Sequence, residues 1–517
     1  MNRLINLNNN LKKNNLIQKN ILYNLLEKIE INQEHIILNE KINNQWKSFT
    51  YKNLFNGIQN CRSILKDHNI NKNDKIIYKG KNSFDWLCWN MATLSVGGVW
   101  VPIYHNQNYN YINHVLNDSD SKLMIYDDIN LNELNTKKSL LKKGVINIDN
   151  SDNIDTNFIH NDISNLIYTS GTSGKPKGVI LTHENLLSNI NSIKLRFPEF
   201  NDKKLKTLNI LPWAHIYSLN TELYYNLLNE NTLYLSSEPN NFIKELKEVK
   251  PDILYLVPRV LEEIHKKIKF LDKKLIRLVI PYILKRIFGE NLITIFIGGA
   301  KLHHEQLEFF INNKISICEG YGTTEASPMI SVNHLKNPRD IESIGAILDG
   351  INVEIIDNEI CINGSNITQG YYNNEEKTNE SFINYNGKRY YKTGDSGYKK
   401  YNFLYYKGRL SNNYKLSNGK FIESDYIEKD IKKILNNHSF ILYGENKPYN
   451  ILIIEDYKNC HDELLEKINK NIPKYAEIKK LLILEKDTFS KFLTPKLSLK
   501  KKELINNYKN EINNLYL

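Results

Sequence analysis

Apolar positions recur at helical spacing over residues 51–66 and 85–96, and short β-branched runs at 75–78 and 98–102 follow each of them. This alternation predicts strand–helix–strand units and therefore a largely parallel sheet. Further short apolar runs at 165–168, 207–211, 232–235, 253–257 and 293–297 read as buried strands of the same layer. Beyond residue 343 the rhythm changes: short runs at 353–356, 359–362, 389–392 and 403–406 stand between Asn, Asp and Gly turns, the mark of a small β-rich part. Past Arg409 come helical spacing at 424–435, strand-like runs at 439–443 and 450–454, and helical spacing at 462–471. The predicted fold class is α/β: a large N-terminal domain, 1–408, with a β-rich subdomain at about 343–408, and a small α+β domain, 409–517. No repeat of solenoid period is present.

One segment interleaves bases with apolar residues, from Lys266-Lys267 through Lys273-Lys274 and Arg277 to Phe288. A helix lying on an anionic membrane surface has this pattern, and so has a core-packing helix with a solvated basic face. Pro281 is expected to interrupt the helix in either case.

Composition narrows the class. Of 517 residues, 41% are hydrophobic and 25% charged, as in soluble globular proteins, and the abundant Asn, Lys and Ile read as a compositional bias. No apolar run approaches the roughly 18 residues of a membrane span, and no apolar leader precedes the first helical segment, so a cytoplasmic location is expected. The polar, basic stretch before Glu27 fits an organellar transit segment as well as it fits the bias. The five cysteines, Cys61, Cys88, Cys318, Cys361 and Cys460, are odd in number and contain no Cys-x-x-Cys pair, which argues against a disulfide framework or a structural zinc site. The net charge of +11 raises nucleic acid as a partner, but the lysines are dispersed and no nucleic-acid-binding motif is present. Small anionic ligands and acidic membrane surfaces are the partners expected instead.

The densest chemical signal is Thr169-Ser170-Gly171-Thr172-Ser173-Gly174-Lys175-Pro176-Lys177-Gly178, directly after the apolar Leu166-Ile167-Tyr168. Glycines let successive backbone N–H groups face one anion, hydroxyls add donors and lysines add charge, so the run suits a nucleotide's phosphates. It is not a Walker A loop, which needs Ser or Thr where Pro176 stands. A flexible surface loop has the same composition. Two further segments bear on the choice. Tyr321-Gly322-Thr323-Thr324-Glu325 offers an aromatic face, hydroxyls and a carboxylate for adenine, phosphate and Mg²⁺. Tyr391-Lys392-Thr393-Gly394-Asp395, with Arg409 beyond the next strand, offers a carboxylate for ribose hydroxyls and a nearby donor. Either segment alone also reads as an ordinary strand-end turn.

In order and separation, these three segments resemble those of the adenylate-forming superfamily, and the resemblance spans nearly the whole chain. Several segments are similar to long-chain acyl-CoA synthetases: Val257-Pro258-Arg259-Val260 with Glu262, Leu211-Pro212-Trp213-Ala214-His215, Gly298-Gly299-Ala300, Lys415-Leu416-Ser417-Asn418-Gly419-Lys420 and Leu493-Thr494-Pro495. For Leu211–His215 a plain core strand end, with the histidine bonded to backbone, is the competing reading.

The resemblance implies a two-step reaction. A fatty acid carboxylate attacks the α-phosphate of Mg·ATP, and the thiol of CoA then takes the acyl group from the adenylate while the small domain rotates between steps. It implies Thr169, Ser170, Gly171, Thr172, Ser173, Gly174, Lys175 and Lys177 on the triphosphate, with Thr172 also counted as catalytic. Tyr321, Gly322, Thr323 and Thr324 with Gly299 and Ala300 would lie about the adenine, Glu325 on Mg²⁺, Asp395 and Arg409 on the ribose, and His215 near the acyl carboxylate. Two positions depart from the pattern. Asn412 stands where the hinge residue is usually Asp or Lys. Ser498 stands where the tail carries the adenylation lysine, and Lys496, preferred to Lys500, is expected to replace it. Two other readings follow from Ser498 and from the unmarked acceptor groove: a weakened nucleotide- or acyl-adenylate-binding protein, and an adenylating enzyme that uses another acceptor.

Overall fold

Thr50 and Asn53 form a capping box, each side chain bonding the other's backbone N–H, and this starts the helix Tyr51–Asp67 where the apolar spacing begins. In the same way Ser83 caps Phe84–Ser95, whose residues are buried almost throughout. The computed structural model describes residues 20–517 apart from 135–138, 145, 147–158, 160, 171–174, 202, 269–276, 303, 337, 423, 436–437, 458–460 and 494–498.

Two compact units divide the chain. The first comprises the described residues of Met1–Val353, Ile362–Tyr391 and Tyr401–Leu404; the second comprises those of Glu354–Cys361, Lys392–Lys400 and Tyr405–Leu517.

In the first unit, one sheet runs in the order Ser139–Lys142, Leu123–Tyr126, Lys75–Lys79, Val99–Ile103, Ile163–Ser170, Pro176–Thr182. Its neighbours are parallel except for the last pair, an antiparallel hairpin. Val99–Ile103 is buried along its whole length, as a central parallel strand covered on both faces must be. A second sheet carries the parallel run Ile317–Gly322, Thr294–Ile297, Ile253–Leu256, Lys206–Asn209, Thr232–Leu235, Ile36–Ile42. The carboxyl ends of its first four strands deliver Tyr321, Gly298, Val257 and the 211–215 segment to one edge, where open α/β sheets bind ligands. Phe242, Leu246, Leu261, Ile264, Leu284 and Phe288 pack against this sheet.

In the second unit, the strands Phe440–Tyr443, Asn450–Glu455 and Ile478–Leu484 form a mixed sheet. The helices Ser424–Leu435 and His461–Asn469 cover one face through Ile427, Ile431, Leu464 and Ile468. Leu504 and Ile512 of the two last helices pack with Phe489 against Ile441 and Ile451. The fold is thus the expected α/β class, a large N-terminal α/β part followed by a small α+β part.

One expectation is corrected. Pro281 does not interrupt a helix; it sits in the first turn of Ile280–Phe288, where no intrahelical N–H bond is lost. The two ends of the basic segment fall in the helices Pro258–Ile268 and Ile280–Phe288, and 269–276 between them lie outside the described residues. Ile264, Ile268, Ile280, Leu284 and Phe288 all face the core.

Candidate active site

Register fixes the ends of the phosphate-loop candidate. In the hairpin, Thr169 lies opposite Lys177 and Ser170 opposite Pro176, so the loop between the strands is only 171–175. Gly171, Thr172, Ser173 and Gly174 lie outside the described residues. The second strand passes straight into the helix His183–Arg196 through a second capping box, Thr182 with Asn185. That helix turns a polar ridge inward. Asn185 donates to the carbonyls of Ser365 and Ile367, Asn189 to that of Met329, and Ser192 to that of Asp349. Each is a buried polar group satisfied by backbone carbonyls, so the helix pins the strand at Met329 and the loops at 349 and 365–367.

The turn after Tyr321 is equally constrained. The Thr323 N–H donates to the Pro328 carbonyl at 3.0 Å, and Asn220 donates to the Ser327 carbonyl at 2.6 Å. A Cβ on Gly322 would collide with the Pro328 carbonyl, so only glycine fits there. Thr324 is buried, Tyr321 half-buried. The Thr323 hydroxyl is buried without a hydrogen-bond partner among the described residues, a donor suited to an anionic ligand.

Glu325 and Lys177 meet at one side chain. The Tyr371 hydroxyl donates to Glu325 Oε1 at 2.8 Å, and the Lys177 Nζ lies 5.8 Å from the Tyr371 ring centroid. Burial, then the neighbouring Lys377 charge, lowers the Lys177 pKa, while Glu380 and Glu325 oppose the shift. Burial and the Glu325 charge push the Tyr371 and Tyr391 phenols up, so both stay protonated. Among the described residues no group of three or more His, Cys, Asp or Glu could hold a metal ion. A single carboxylate, Glu325, fits Mg²⁺ instead, which binds few protein oxygens and keeps waters and substrate phosphates as its other ligands. Tyr371 is a site residue that sequence reasoning missed. Its signal was the turn Gly370-Tyr371-Tyr372, whose glycine has φ of 150°.

The 211–215 segment is held from below by the half-buried amide of Asn82. Asn82 donates to Asn209 Oδ1 and to the Leu211 carbonyl and accepts from the Trp213 N–H. His215 Nδ1 accepts from the Tyr217 N–H at 3.2 Å, so the predicted backbone bond to this histidine exists. From Tyr217 to Tyr224 the helix is over-wide, with i→i+5 bonding, a feature frequent at functional sites. Inside it lies Glu222, which accepts from Asn209 and Ser218 at 2.6 Å each. Complete burial pushes its carboxyl up to about 8 against those bonds. The Tyr217 ring lies on Gly298, where a Cβ would approach it to 3.0 Å. Gly299 has φ of 83°, and it and Ala300 are exposed at the strand end.

The second unit brings Asp395 and Arg409 together. Asp395 Oδ1 is 2.9 Å from Arg409 Nε, and Arg409 Nη1 donates to the Thr393 carbonyl at 3.1 Å. Gly394 between them has φ of 73° and donates its N–H to Glu359. Lys496 lies outside the described residues, as does Ser498. Lys500 precedes the helix Lys501–Asn507 and pairs with Glu503 at 3.0 Å.

Comparison with known proteins decides the class. The family model for the AMP-binding enzyme matches residues 27–372, and that for the AMP-binding enzyme C-terminal domain matches 413–517. The chain belongs to the AMP-binding enzyme family. It is an adenylate-forming, acyl-activating enzyme by class. It is 23% identical over 484 residues to the long-chain-fatty-acid–CoA ligase FadD15 of Mycobacterium bovis, over 80% of this chain and 78% of that one. It is 27% identical over 413 residues to the D-alanine–D-alanyl carrier protein ligase of Lactococcus lactis, over 75% and 78%. Its fold matches that of O-succinylbenzoate coenzyme A synthetase from Bacillus subtilis in complex with AMP, with a TM-score of 0.77, 20% identity and coverage of 93% and 97%. These relatives of one AMP-binding family activate different acids, so membership alone leaves the acid and the acceptor open.

Proposed function

We propose that this enzyme activates a fatty acid with Mg·ATP and transfers the acyl group to CoA. The approach of Lys177 and Glu325 to one side chain, Tyr371, carries the reading, since it gathers a cation and a carboxylate about one tyrosine beside the phosphate hairpin. A carboxylate oxygen of the acid attacks the α-phosphorus; the bond from that phosphorus to the bridging oxygen breaks, and pyrophosphate leaves. The CoA sulfur then attacks the acyl carbon, AMP leaves with the bonding electrons, and the thiol proton passes to solvent. Such chemistry depends on positioning and on charge stabilisation, with no protein nucleophile required. Bound Mg²⁺ would neutralise phosphate charge, with Glu325 as its protein ligand.

In this proposal Lys177 and Lys175, with Thr169, Ser170 and the loop residues to Gly174, hold the triphosphate. Tyr321 to Thr324, Gly299 and Ala300 line the adenine, Asp395 with Arg409 takes the ribose, and His215 stands by the acyl carboxylate. Lys496 stands in for the lysine absent at Ser498. The domain division at 408/409 belongs to the same proposal. Similarity to FadD15 supports the fatty acid and CoA; a carrier-protein acceptor is the second reading, supported by similarity to the D-alanyl carrier protein ligase. Pyrophosphate release with and without CoA separates the two.

We also propose peripheral contact with an anionic membrane surface. Leu278 and Tyr282 are 87% and 68% exposed, and Tyr282 is one turn from the exposed Lys285 and Arg286. No helix among the described residues is long and apolar enough to cross a membrane. Vesicle co-sedimentation that Tyr282→Glu abolishes would support the contact; equal binding by both proteins would refute it.

A further inference from the structure

The strip of chain 368–372 is stitched on one side to the phosphate hairpin and on the other to the Glu325 turn. The Ile180 N–H donates to the Gly370 carbonyl at 3.1 Å, the Tyr372 N–H to the Gly178 carbonyl at 2.8 Å, and the Thr368 hydroxyl to the Ile180 carbonyl at 2.5 Å. The Thr368 N–H donates to the Glu325 carbonyl at 2.8 Å. Within the strip, the Tyr371 N–H is fixed on Thr378 Oγ1 at 3.0 Å, and a Cβ on Gly370 would run into the Thr378 side chain. The backbone of Tyr371 therefore has one position relative to both Lys177 and Glu325.

Its side chain uses both of its faculties. The hydroxyl donates to Glu325 Oε1, while the ring takes the Lys177 ammonium over its face. The Tyr391 hydroxyl, 3.3 Å from that of Tyr371, backs the phenol from within the core, where Tyr391 is 5% exposed. A tyrosine needed only for packing would leave its hydroxyl on water or backbone. Here it is spent on the Glu325 carboxylate, while the Lys177 ammonium lies 5.8 Å from the centroid of the same ring.

We infer that Tyr371 is a positioning residue that holds the Glu325 carboxylate and the Lys177 ammonium at a fixed spacing, so that Mg·ATP meets both without rearrangement. The inference rests on the proposed roles of Lys177 and Glu325. Phenylalanine lacks only the hydroxyl and leucine also lacks the ring, so Tyr371→Phe isolates the Glu325 arm and Tyr371→Leu adds the Lys177 arm.

The test is a pair of double-mutant cycles. Tyr371→Phe should weaken calorimetric Mg·ATP binding, and raise the Mg²⁺ concentration needed for half-maximal pyrophosphate release, by roughly ten- to a hundredfold, the worth of one charge-assisted hydrogen bond. In a Glu325→Gln background it should cost about twofold or less, because the bonded carboxylate is gone. Tyr371→Leu should likewise lose its extra effect in a Lys177→Met background. Fully additive losses in both cycles, or parental behaviour of Tyr371→Phe, would overturn the inference. If the parent neither binds Mg·ATP nor releases pyrophosphate with any acid, the functional reading fails first. The same cycles read in denaturant midpoints then decide the positioning claim: coupling between Tyr371 and Glu325 sustains it, and additivity refutes it.

Discussion

Arg409 Nε lies 2.9 Å from Asp395 Oδ1, and the carboxylate is 1% exposed while the guanidinium side chain is about half open to solvent. The pair is therefore asymmetric: Asp395 depends on Arg409 for its charge partner more than the reverse.

Arg409→Ala should destabilise the protein by roughly 1–3 kcal/mol, between the values for exposed and buried pairs, because it removes an opposite charge from a buried carboxylate. Asp395→Asn keeps the shape without the charge and should cost less. Both, like Asp395→Ala, should weaken ATP binding. Denaturant unfolding and ATP titration check this; an unchanged ATP affinity in Asp395→Ala would remove the ribose assignment.

Lys177→Ala and Glu325→Ala should each slow adenylation by on the order of 10²–10³, as loss of one group aimed at the transition state does. Circular dichroism should match the parent, since both groups are partly exposed at a hairpin and a turn and neither fills core volume. Parental pyrophosphate release in both variants would refute the phosphate and magnesium roles.

Glu222 makes stability fall as pH rises. Burial lifts its carboxyl from the ordinary 4.5 to about 8, so between those values the native state holds a proton that the unfolded chain has released. The associated stability is full below pH 4.5 and is lost as pH climbs through about 8. Glu319, buried beside the Leu302 N–H and raised to about 7, adds to the same slope. Glu222→Gln should flatten the melting-temperature profile between pH 5 and 8; an identical slope in the variant would contradict this account.

For the tail, Lys496→Ala should abolish adenylation while Lys500→Ala retains it. Lys500 pairs with Glu503 in an exposed contact at 3.0 Å, and the proposal takes Lys496 as the substitute for the lysine missing at Ser498. The reverse pattern in pyrophosphate release would assign the role to Lys500.

What could be read in the sequence was what is local. The hairpin loop, the Tyr321-to-Glu325 turn and the Gly394-Asp395 pair each put their candidate groups in a few consecutive residues; the first two follow short apolar runs that period reveals, whereas Gly394 and Asp395 lie within the long strand Lys388–Lys400 and not at a turn after it. Tyr371 was hidden because its partner Glu325 is 46 residues away and only the folded loop joins them. The hairpin turn at Asn43 and Asn44, with φ of 49° and 62°, was lost among the many asparagines of this chain. The widened helix at Tyr217–Tyr224 shifts register by one residue per turn, which an apolar pattern buried on every side cannot display. Pro281 misled because a proline reads as a breaker unless the helix start is known to lie beside it.

The most direct test of the central claim is pyrophosphate release from the purified protein with Mg·ATP and a ladder of fatty acids, with and without CoA. The account predicts release that requires a particular fatty acid, with CoA consumed in equal amount. Mg·ATP binding without release for any acid on the ladder would contradict it and leave a nucleotide-binding protein in which Ser498 is a true loss.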